Sequence, residues 1–147
     1  EANRYFFVSN PVEIKLDRDL DEVSAPLHPE DDARGKRKMH ASRKIYIERR
    51  DFEKYKGKEI RLLHLCNIKL DKNSKVTSLE NKPIPKVHWV SEENVPVKVI
   101  MPDASEKQGM AELGIKNGKI DSVVQFERFG FCRLDSKTPF VFYFTHK

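Results

Sequence analysis

The sequence predicts an all-β fold, and three observations support that prediction. Apolar and polar residues alternate in short segments at residues 12–16, 44–48, 86–90 and 140–144, with the period of a half-buried strand. Turn signals separate the predicted strands, and Asn117-Gly118 is a strong one. No stretch long enough for a stable helix carries helical periodicity. We therefore expect a β-barrel or sandwich with a helix content below about 20%.

The other elements are predicted from local composition, in chain order. Residues 4–8, 76–79 and 95–100 are predicted strands, and 60–70 predicts one or two strands with a bulge near Leu62-Leu63. Residues 53–58 are compatible with an exposed helical turn that stops at Gly57. Residues 101–113 predict a short helix or a loop. The single Trp89, set between valine-containing segments, is predicted to lie in the core.

The length and the cysteine content place limits on the kind of protein. A chain of 147 residues is one domain or two very small ones that share a core. The two cysteines, Cys66 and Cys132, do not form a disulfide framework, so a reducing, cytoplasmic setting is expected. There is no membrane-spanning apolar run and no signal-peptide pattern, so no membrane partner is expected. The absence of an initiator Met predicts an excised or processed chain.

The net charge of +5 is distributed unevenly along the chain. Residues 1–33 contain 3 Lys or Arg and 9 Asp or Glu, whereas residues 34–61 contain 12 and 4. Such a basic segment predicts an anionic partner, most often a nucleic acid. The alternative is a solvated face that happens to be rich in lysine, since acidic residues are interspersed in the segment.

The sequence offers little for metal binding or catalysis. The candidate metal ligands lack a CxxC or HxxxH spacing, which argues against zinc; they are His28, His40, His64, Cys66 and Cys132. There is no glycine-rich phosphate loop after a strand, and no nucleophile or paired-carboxylate arrangement can be argued. We therefore expect neither catalytic residues nor a cofactor in this chain.

The most informative segment is the predicted hairpin at residues 123–135. Gln125 and Arg128 place an amide and a guanidinium group beside Phe126, Phe129 and Phe131. Amides and guanidinium groups can hydrogen-bond base edges, and flat rings can stack on unpaired bases. The alternative is a buried aromatic hairpin in which Glu127 and Arg128 form an ordinary ion pair.

The same segment carries a resemblance to a known family. The run QFERFGF, the later LDS and the terminal YFTHK are similar to the C-terminus of archaeal-type glutamyl-tRNA synthetases. Three further features resemble this family in the same order: His28-Pro29 followed by Gly35 and Arg37, the HWV strand at His88, and a GxAE segment at Gly109. The resemblance implies an anticodon-binding domain of two small β-barrels. One is formed roughly by residues 40–95, inserted in the middle, and the other by 1–39 plus 96–147.

The resemblance also implies site residues. It places an anticodon-base contact on Arg37 and turns Gln125, Arg128 and Phe129 toward the splayed anticodon. The family has a basic, tyrosine-containing loop that approaches the anticodon at this position. The resemblance therefore implies RNA contacts at Lys54, Tyr55 and Lys56. Lys36, beside Arg37, is expected to meet a phosphate group. Together these residues form the predicted RNA-binding set: Lys36, Arg37, Lys54, Tyr55, Lys56, Gln125, Arg128 and Phe129.

The partner implied by the resemblance is the anticodon stem-loop of tRNA(Glu). The parent enzyme would be a glutamate–tRNA ligase with an upstream catalytic domain that uses ATP and Mg²⁺. Three alternatives remain open: the same domain of a glutaminyl-tRNA synthetase, a free-standing ribosomal or RNA-binding β-barrel protein, and a protein-interaction module or independent enzyme.

Overall fold

A computed structural model describes residues 2–20, 22–28 and 30–147 of the chain. The fold is all-β, with 53% strand and 10% helix, so the expected upper limit on helix content is confirmed. One large sheet curls into a nearly closed barrel and another into a half-barrel, as expected for a domain built from two small β-barrels.

In the described part of the chain the strands have the following bounds. They are β1 (Asn3–Tyr5), β2 (Phe7–Ser9), β3 (Pro11–Leu16), β4 (Val23–Pro26), β5 (Lys36–Met39), β6 (Lys44–Glu48), β7 (Glu59–Leu62), β8 (Cys66–Lys69), β9 (Asn73–Ser78), β10 (Lys86–Val87), β11 (Val90–Ser91), β12 (Asn94–Ile100), β13 (Glu106–Glu112), β14 (Val123–Phe126), β15 (Gly130–Lys137) and β16 (Phe140–His146). The helix α1 is Arg49–Tyr55, and two 3-10 helices are Asp32–Arg34 and Leu113–Asn117.

Two seven-stranded sheets contain most of these strands. The terminal sheet has the order β1-β14-β15-β16-β12-β13-β2, so both ends of the described chain contribute to it. The middle sheet has the order β10-β7-β8-β9-β3-β6-β11, and β4 pairs with β5 as a separate hairpin. Two cuts along the chain, one between β2 and β3 and one between β11 and β12, separate the two sheets, so the middle sheet already begins at β3 near the start of the chain. The domain boundaries expected near residues 40 and 95 stay predictions.

Each sheet covers its own apolar cluster. The cluster under the middle sheet includes Phe6, Ile14, Ile45 and Trp89, all fully or almost fully buried. The indole of Trp89 donates a hydrogen bond to the carbonyl oxygen of Leu63 at 2.9 Å, so its polar atom is satisfied in the core and the core prediction is confirmed. The cluster under the terminal sheet is built mainly from aromatic and β-branched residues such as Phe7, Val99, Phe126 and Phe142.

Two local predictions differ from the structure, and a third agrees in part. Residues 101–113 do not form a helix or loop throughout, because Glu106–Glu112 is the strand β13, paired along its whole length with β12. The predicted bulge at Leu62-Leu63 is the end of β7, and the register shift lies at Asn67/Ile68. The helical turn expected at residues 53–58 corresponds to the end of a longer helix, Arg49–Tyr55. Gly57 follows this helix at φ +82°, as the predicted glycine stop requires.

Two glycines permit contacts that a side chain would block. A Cβ added at Gly109 in β13 would lie within 3 Å of the Val8 backbone, so β2 can pair with β13 only because this residue is glycine. Gly130 begins β15 at φ +151°, and a Cβ there would collide with the Phe144 ring. The tight connection from β14 to β15 therefore depends on a residue without a side chain.

Candidate nucleic-acid interface

The predicted site residues occupy different environments, and the first is a groove beside the β4–β5 hairpin. Its volume is about 610 Å³, and Lys36 and Lys38 border it from β5. Asn117 and Ser122 line the opposite side, and the Tyr5 ring contributes an apolar wall. Both lysines are exposed, and the Lys38 ammonium lies 3.9 Å from the carboxylate of Glu22. The groove therefore offers positive charge together with hydrogen-bonding groups.

Arg37 also lines this groove, but its guanidinium lies in a buried ion cluster. Its guanidinium donates to Glu112 at 2.8 Å and to Glu127 at 3.1 Å, and only 3% of its side chain is exposed. It also lies 4.9 Å from the ring centre of Phe6. In this conformation two carboxylates and a ring surround the guanidinium, so the residue holds separate strands together rather than presenting a fork to solvent.

Glu112 is the buried partner in that cluster. Besides Arg37, it accepts a 2.7 Å hydrogen bond from the backbone N–H of Phe6. Burial raises the pKa of Glu112 to about 7, because the favourable charge of Arg37 and the two hydrogen bonds offset only part of the desolvation. The cluster joins β5, β13 and the β14–β15 turn across the contact between the two apolar clusters.

Arg128 belongs to a second polar network at the same junction. Its guanidinium forms a two-point ion pair with Asp51 of α1, at 2.8 and 3.0 Å, and also donates to His88 Nδ1 at 2.9 Å. Because arginine only donates, His88 Nδ1 accepts and its Nε2 donates to Glu48 at 3.2 Å. The hydrogen bond to Asp51 raises the pKa of Arg128.

Glu48 completes this second network. It also accepts from the backbone N–H and the hydroxyl of Ser9 in β2, at 3.4 and 3.3 Å. Burial tends to raise the pKa of Glu48, but His88 and Ser9 outweigh that effect and hold the pKa below its ordinary value. The network thus runs from the β14–β15 turn through the middle sheet and back to the terminal sheet. Glu127 pairs with Arg4 and Arg37, and Arg128 pairs with Asp51, so the alternative interpretation of a Glu127–Arg128 ion pair is wrong.

Gln125 has a contrasting environment. It lies in β14 between the buried residues Val124 and Phe126, so its own side chain projects to the outer face of the terminal sheet. It is half-buried, and its amide forms no side-chain hydrogen bond within the part of the chain that the structure describes. Its donors and acceptor are therefore available to a ligand.

Phe129 packs mainly against other rings of the terminal sheet. Its ring centre lies 5.3 Å from that of Phe7 and 5.7 Å from that of Phe144, in edge-to-face arrangements. The half-buried side chain also borders a cavity of about 260 Å³ that Arg50 and Lys107 share. Edge contacts on two sides leave this ring as a support for the hairpin rather than an open platform.

The predicted basic loop lies at the end of α1. Lys54 and Lys56 are exposed, and the Lys54 ammonium lies 5.3 Å from the ring centre of half-buried Tyr55. Sequence reasoning missed Lys72, whose ammonium approaches the Phe52 ring at 5.3 Å while that of Lys56 approaches it at 5.8 Å. Lys72 comes from the turn before β9, and its proximity depends on tertiary structure, so no local signal marks it.

The structure offers no further site of metal or thiol chemistry among the residues it describes. No group of three or more His, Cys, Asp or Glu side chains in residues 2–20, 22–28 and 30–147 could hold a metal ion. Burial raises the pKa of Cys66 to about 11 and that of Cys132 to about 12, which keeps both thiols protonated and unreactive. None of the helices formed by described residues has the length and apolar character needed to cross a lipid bilayer. Pro29 of the His28-Pro29 motif lies outside the described residues.

Comparison with known proteins gives a consistent result along the chain. The family described as "tRNA synthetases class I (E and Q), anti-codon binding domain" matches residues 2–84, and a second family with the same description matches residues 86–135. The chain belongs to this family of anticodon-binding domains. The two matches together cover the middle sheet, the junction networks and the hairpin that carries Gln125.

Individual relatives of this anticodon-binding domain are archaeal proteins. A glutamate–tRNA ligase of Methanosarcina mazei is 41% identical over 99% of this chain and 28% of its own length. The glutamate–tRNA ligases of Methanobrevibacter smithii and Archaeoglobus fulgidus are 40% and 36% identical, over 99% and 92% of this chain. The chain thus spans little more than a quarter of the length of these curated relatives.

Proposed function

We propose that this chain binds the anticodon loop of tRNA(Glu) as the C-terminal recognition domain of a glutamyl-tRNA synthetase. The observation that carries the proposal is the match of anticodon-binding families to residues 2–84 and 86–135. The family covers enzymes for glutamate and glutamine, and the relatives that align with almost the entire chain are named for glutamate. That difference favours tRNA(Glu) over tRNA(Gln) as the partner.

The parent enzyme would join glutamate to tRNA in the cytoplasm with ATP and Mg²⁺, in an upstream catalytic domain of the same polypeptide. The named activity of the relatives supports this proposal. The role of the present chain would be to position the anticodon and to discriminate between anticodons, with no cofactor of its own.

The distribution of polar groups supports two kinds of RNA contact. The exposed Lys36, Lys54 and Lys56 are suited to phosphate groups, because an ammonium acts as a point charge that requires no fixed orientation. The available amide of Gln125 is suited to a base edge, where an acceptor and a donor lie side by side. Tyr55, half-buried beside Lys54, can contribute a ring to the same surface.

Arg37 and Arg128 remain proposed base contacts under one condition. Each guanidinium is held by carboxylates in the present conformation, so a base contact requires exchanging at least one of those ion pairs for RNA. Without such an exchange, the two residues act through the shape of the hairpin and groove.

A binding experiment with tRNA(Glu) and an anticodon-swapped tRNA(Glu) tests the proposed function. Fluorescence anisotropy over a range of salt concentrations should show tighter binding to the cognate anticodon and a steep loss of affinity with salt. Lys56→Ala should flatten the log–log salt slope by about 0.7 for one contact to single-stranded RNA and leave the cognate preference unchanged. Lys98→Ala, which removes a lysine of β12 outside the predicted set, should leave the slope as it is. Equal affinity for both tRNAs, or binding insensitive to salt, would contradict the proposal.

A further inference from the structure

The outer face of the terminal sheet carries a row of side chains that spans three neighbouring strands. Gln125 in β14 lies opposite Phe131 in β15, and Phe131 lies opposite His146 in β16. Side chains directly opposite each other on neighbouring strands project to the same face with Cβ atoms about 5 Å apart. The row therefore places an amide, a benzene ring and an imidazole side by side on the solvent face.

The two rings of this row are already stacked. Their centres lie 4.5 Å apart and their planes differ by 11°. The Thr145 hydroxyl donates a hydrogen bond to the carbonyl oxygen of Phe131 at 3.0 Å, so the hydroxyl oxygen itself accepts a hydrogen bond from His146 Nδ1, also at 3.0 Å. This arrangement fixes the orientation of the imidazole without any ligand, and Phe131 is held in a defined plane by the ring beside it.

The chemistry of this surface matches an unpaired RNA base. A base needs hydrogen-bond partners along its edge and a flat apolar group against its face, and the Gln125 amide and the Phe131 ring supply these within one cross-strand pair. The exposed Lys147, which follows His146 at the same end of the sheet, suits an adjoining phosphate.

We infer that Phe131, supported by His146, stacks the anticodon-loop base whose edge is read by Gln125. This inference rests on the proposed function and identifies the ring that it uses. Phe131 differs in this respect from Phe129, whose ring contacts Phe7, Phe126 and Phe144 of the interior cluster. The resemblance-based prediction placed the stacking role on Phe129, whereas the row at Gln125 assigns it to the next aromatic residue in the sequence.

A fluorescent base reports stacking directly. The probe is a synthetic anticodon stem-loop of tRNA(Glu) that carries 2-aminopurine at one loop position at a time, because stacking on an aromatic ring quenches this base. With the wild-type chain, one loop position should be quenched on binding. Phe131→Leu, which keeps an apolar side chain but removes the ring, should abolish that quenching and weaken binding about tenfold. Phe131→Tyr, which keeps the ring, should retain both.

Matched variants separate stacking from folding. Phe129→Leu removes the neighbouring interior ring, so it should lower the melting temperature but keep the quenched position. His146→Ala should reduce quenching less than Phe131→Leu does, since it removes the support and leaves the platform.

Two outcomes would overturn the inference in distinguishable ways. If the wild-type chain does not bind the stem-loop, the proposed function fails and the inference fails with it. If the wild-type chain binds and Phe131→Leu retains the full affinity and quenching, only the stacking role of Phe131 is wrong.

Discussion

The junction between the two sheets and the outer face of the terminal sheet use similar residue types in opposite ways. At the junction, Arg37 and Arg128 are bound by Glu112, Glu127 and Asp51; Arg37 is almost fully buried, whereas 30% of the Arg128 side chain is exposed. On the outer face, Gln125 and Phe131 lie in the same hairpin with their functional groups half-exposed. The difference shows that an arginine, whose guanidinium could bind a base edge, can instead hold neighbouring strands in place.

The largest effect on stability is expected at Arg37, which is the most deeply buried cation of the junction. Replacing it with alanine leaves the buried carboxylate of Glu112 without its cationic partner, and breaking a buried ion pair from one side costs about 3–5 kcal/mol. We expect Arg37→Ala to lower the free energy of unfolding by that amount in urea denaturation.

Lys36→Ala is the matched control for Arg37→Ala. It changes the preceding, exposed residue of the same strand and should alter stability by less than about 0.5 kcal/mol. If Arg37→Ala proves as stable as this control, the ion pair between Arg37 and Glu112 does not stabilise the junction.

Arg128→Lys should have a smaller effect on stability and tests whether Arg128 also reads a base. Lysine keeps the charge but cannot reproduce the two-point contact with Asp51, so we expect a loss of about 1–2 kcal/mol. If Arg128 exchanges Asp51 for a base, the variant should also lose discrimination between cognate and anticodon-swapped tRNA. A lower melting temperature, together with the wild-type ratio of affinities for cognate and anticodon-swapped tRNA, would show that Arg128 is structural.

The smallest expected effect is a change in the pH dependence of stability. Burial raises the pKa of Glu112 from its ordinary value of 4.5 to about 7, so the folded state binds this proton more tightly than the unfolded state does. The stabilisation from this carboxyl is therefore fully present below pH 4.5 and is lost as the pH rises to about 7. The Glu112→Gln side chain cannot ionise, so the free energy of unfolding of this variant should fall less as the pH rises from 4.5 to about 7.

Urea denaturation of both proteins at several pH values measures this difference. The comparison with Glu112→Gln is needed because His64 acts in the opposite direction. Burial lowers the pKa of His64, so its contribution is present above its ordinary pKa of 6.5 and falls as the pH decreases. Identical pH profiles for the two proteins would show that Glu112 does not titrate in this range.

Much of the fold could be predicted because most strands have one buried face. The alternation at residues 12–16 and 44–48 corresponds to the strands β3 and β6, which pair with each other along the middle sheet. Strand β13 was missed because its sequence, EKQGMAE, contains no β-branched residue and has a glycine at its centre. Its strand conformation comes from pairing with β12 and from the close approach of Val8 to Gly109.

The environment of the candidate site was less accessible to sequence reasoning. The chemistry of Gln125 and Arg128 could be read from their residue types, but their partners could not. Arg128 meets Asp51 across 77 positions and Arg37 meets Glu112 across 75, so burial and pairing are decided by tertiary structure alone. The same holds for Phe129 and Phe131, which are two residues apart and differ because one packs inward and the other faces solvent.

The position of β16 has a consequence for the order in which the molecule is made. Although β16 is the last strand in the described chain, it lies in the centre of the terminal sheet, between β15 and β12. During synthesis those two strands therefore have unpaired edges until Phe140–His146 leaves the ribosome. The buried residues of the middle cluster all precede Ser91, so that half can fold on the nascent chain. The row proposed to bind RNA, which includes His146, is completed only once β16 has been made.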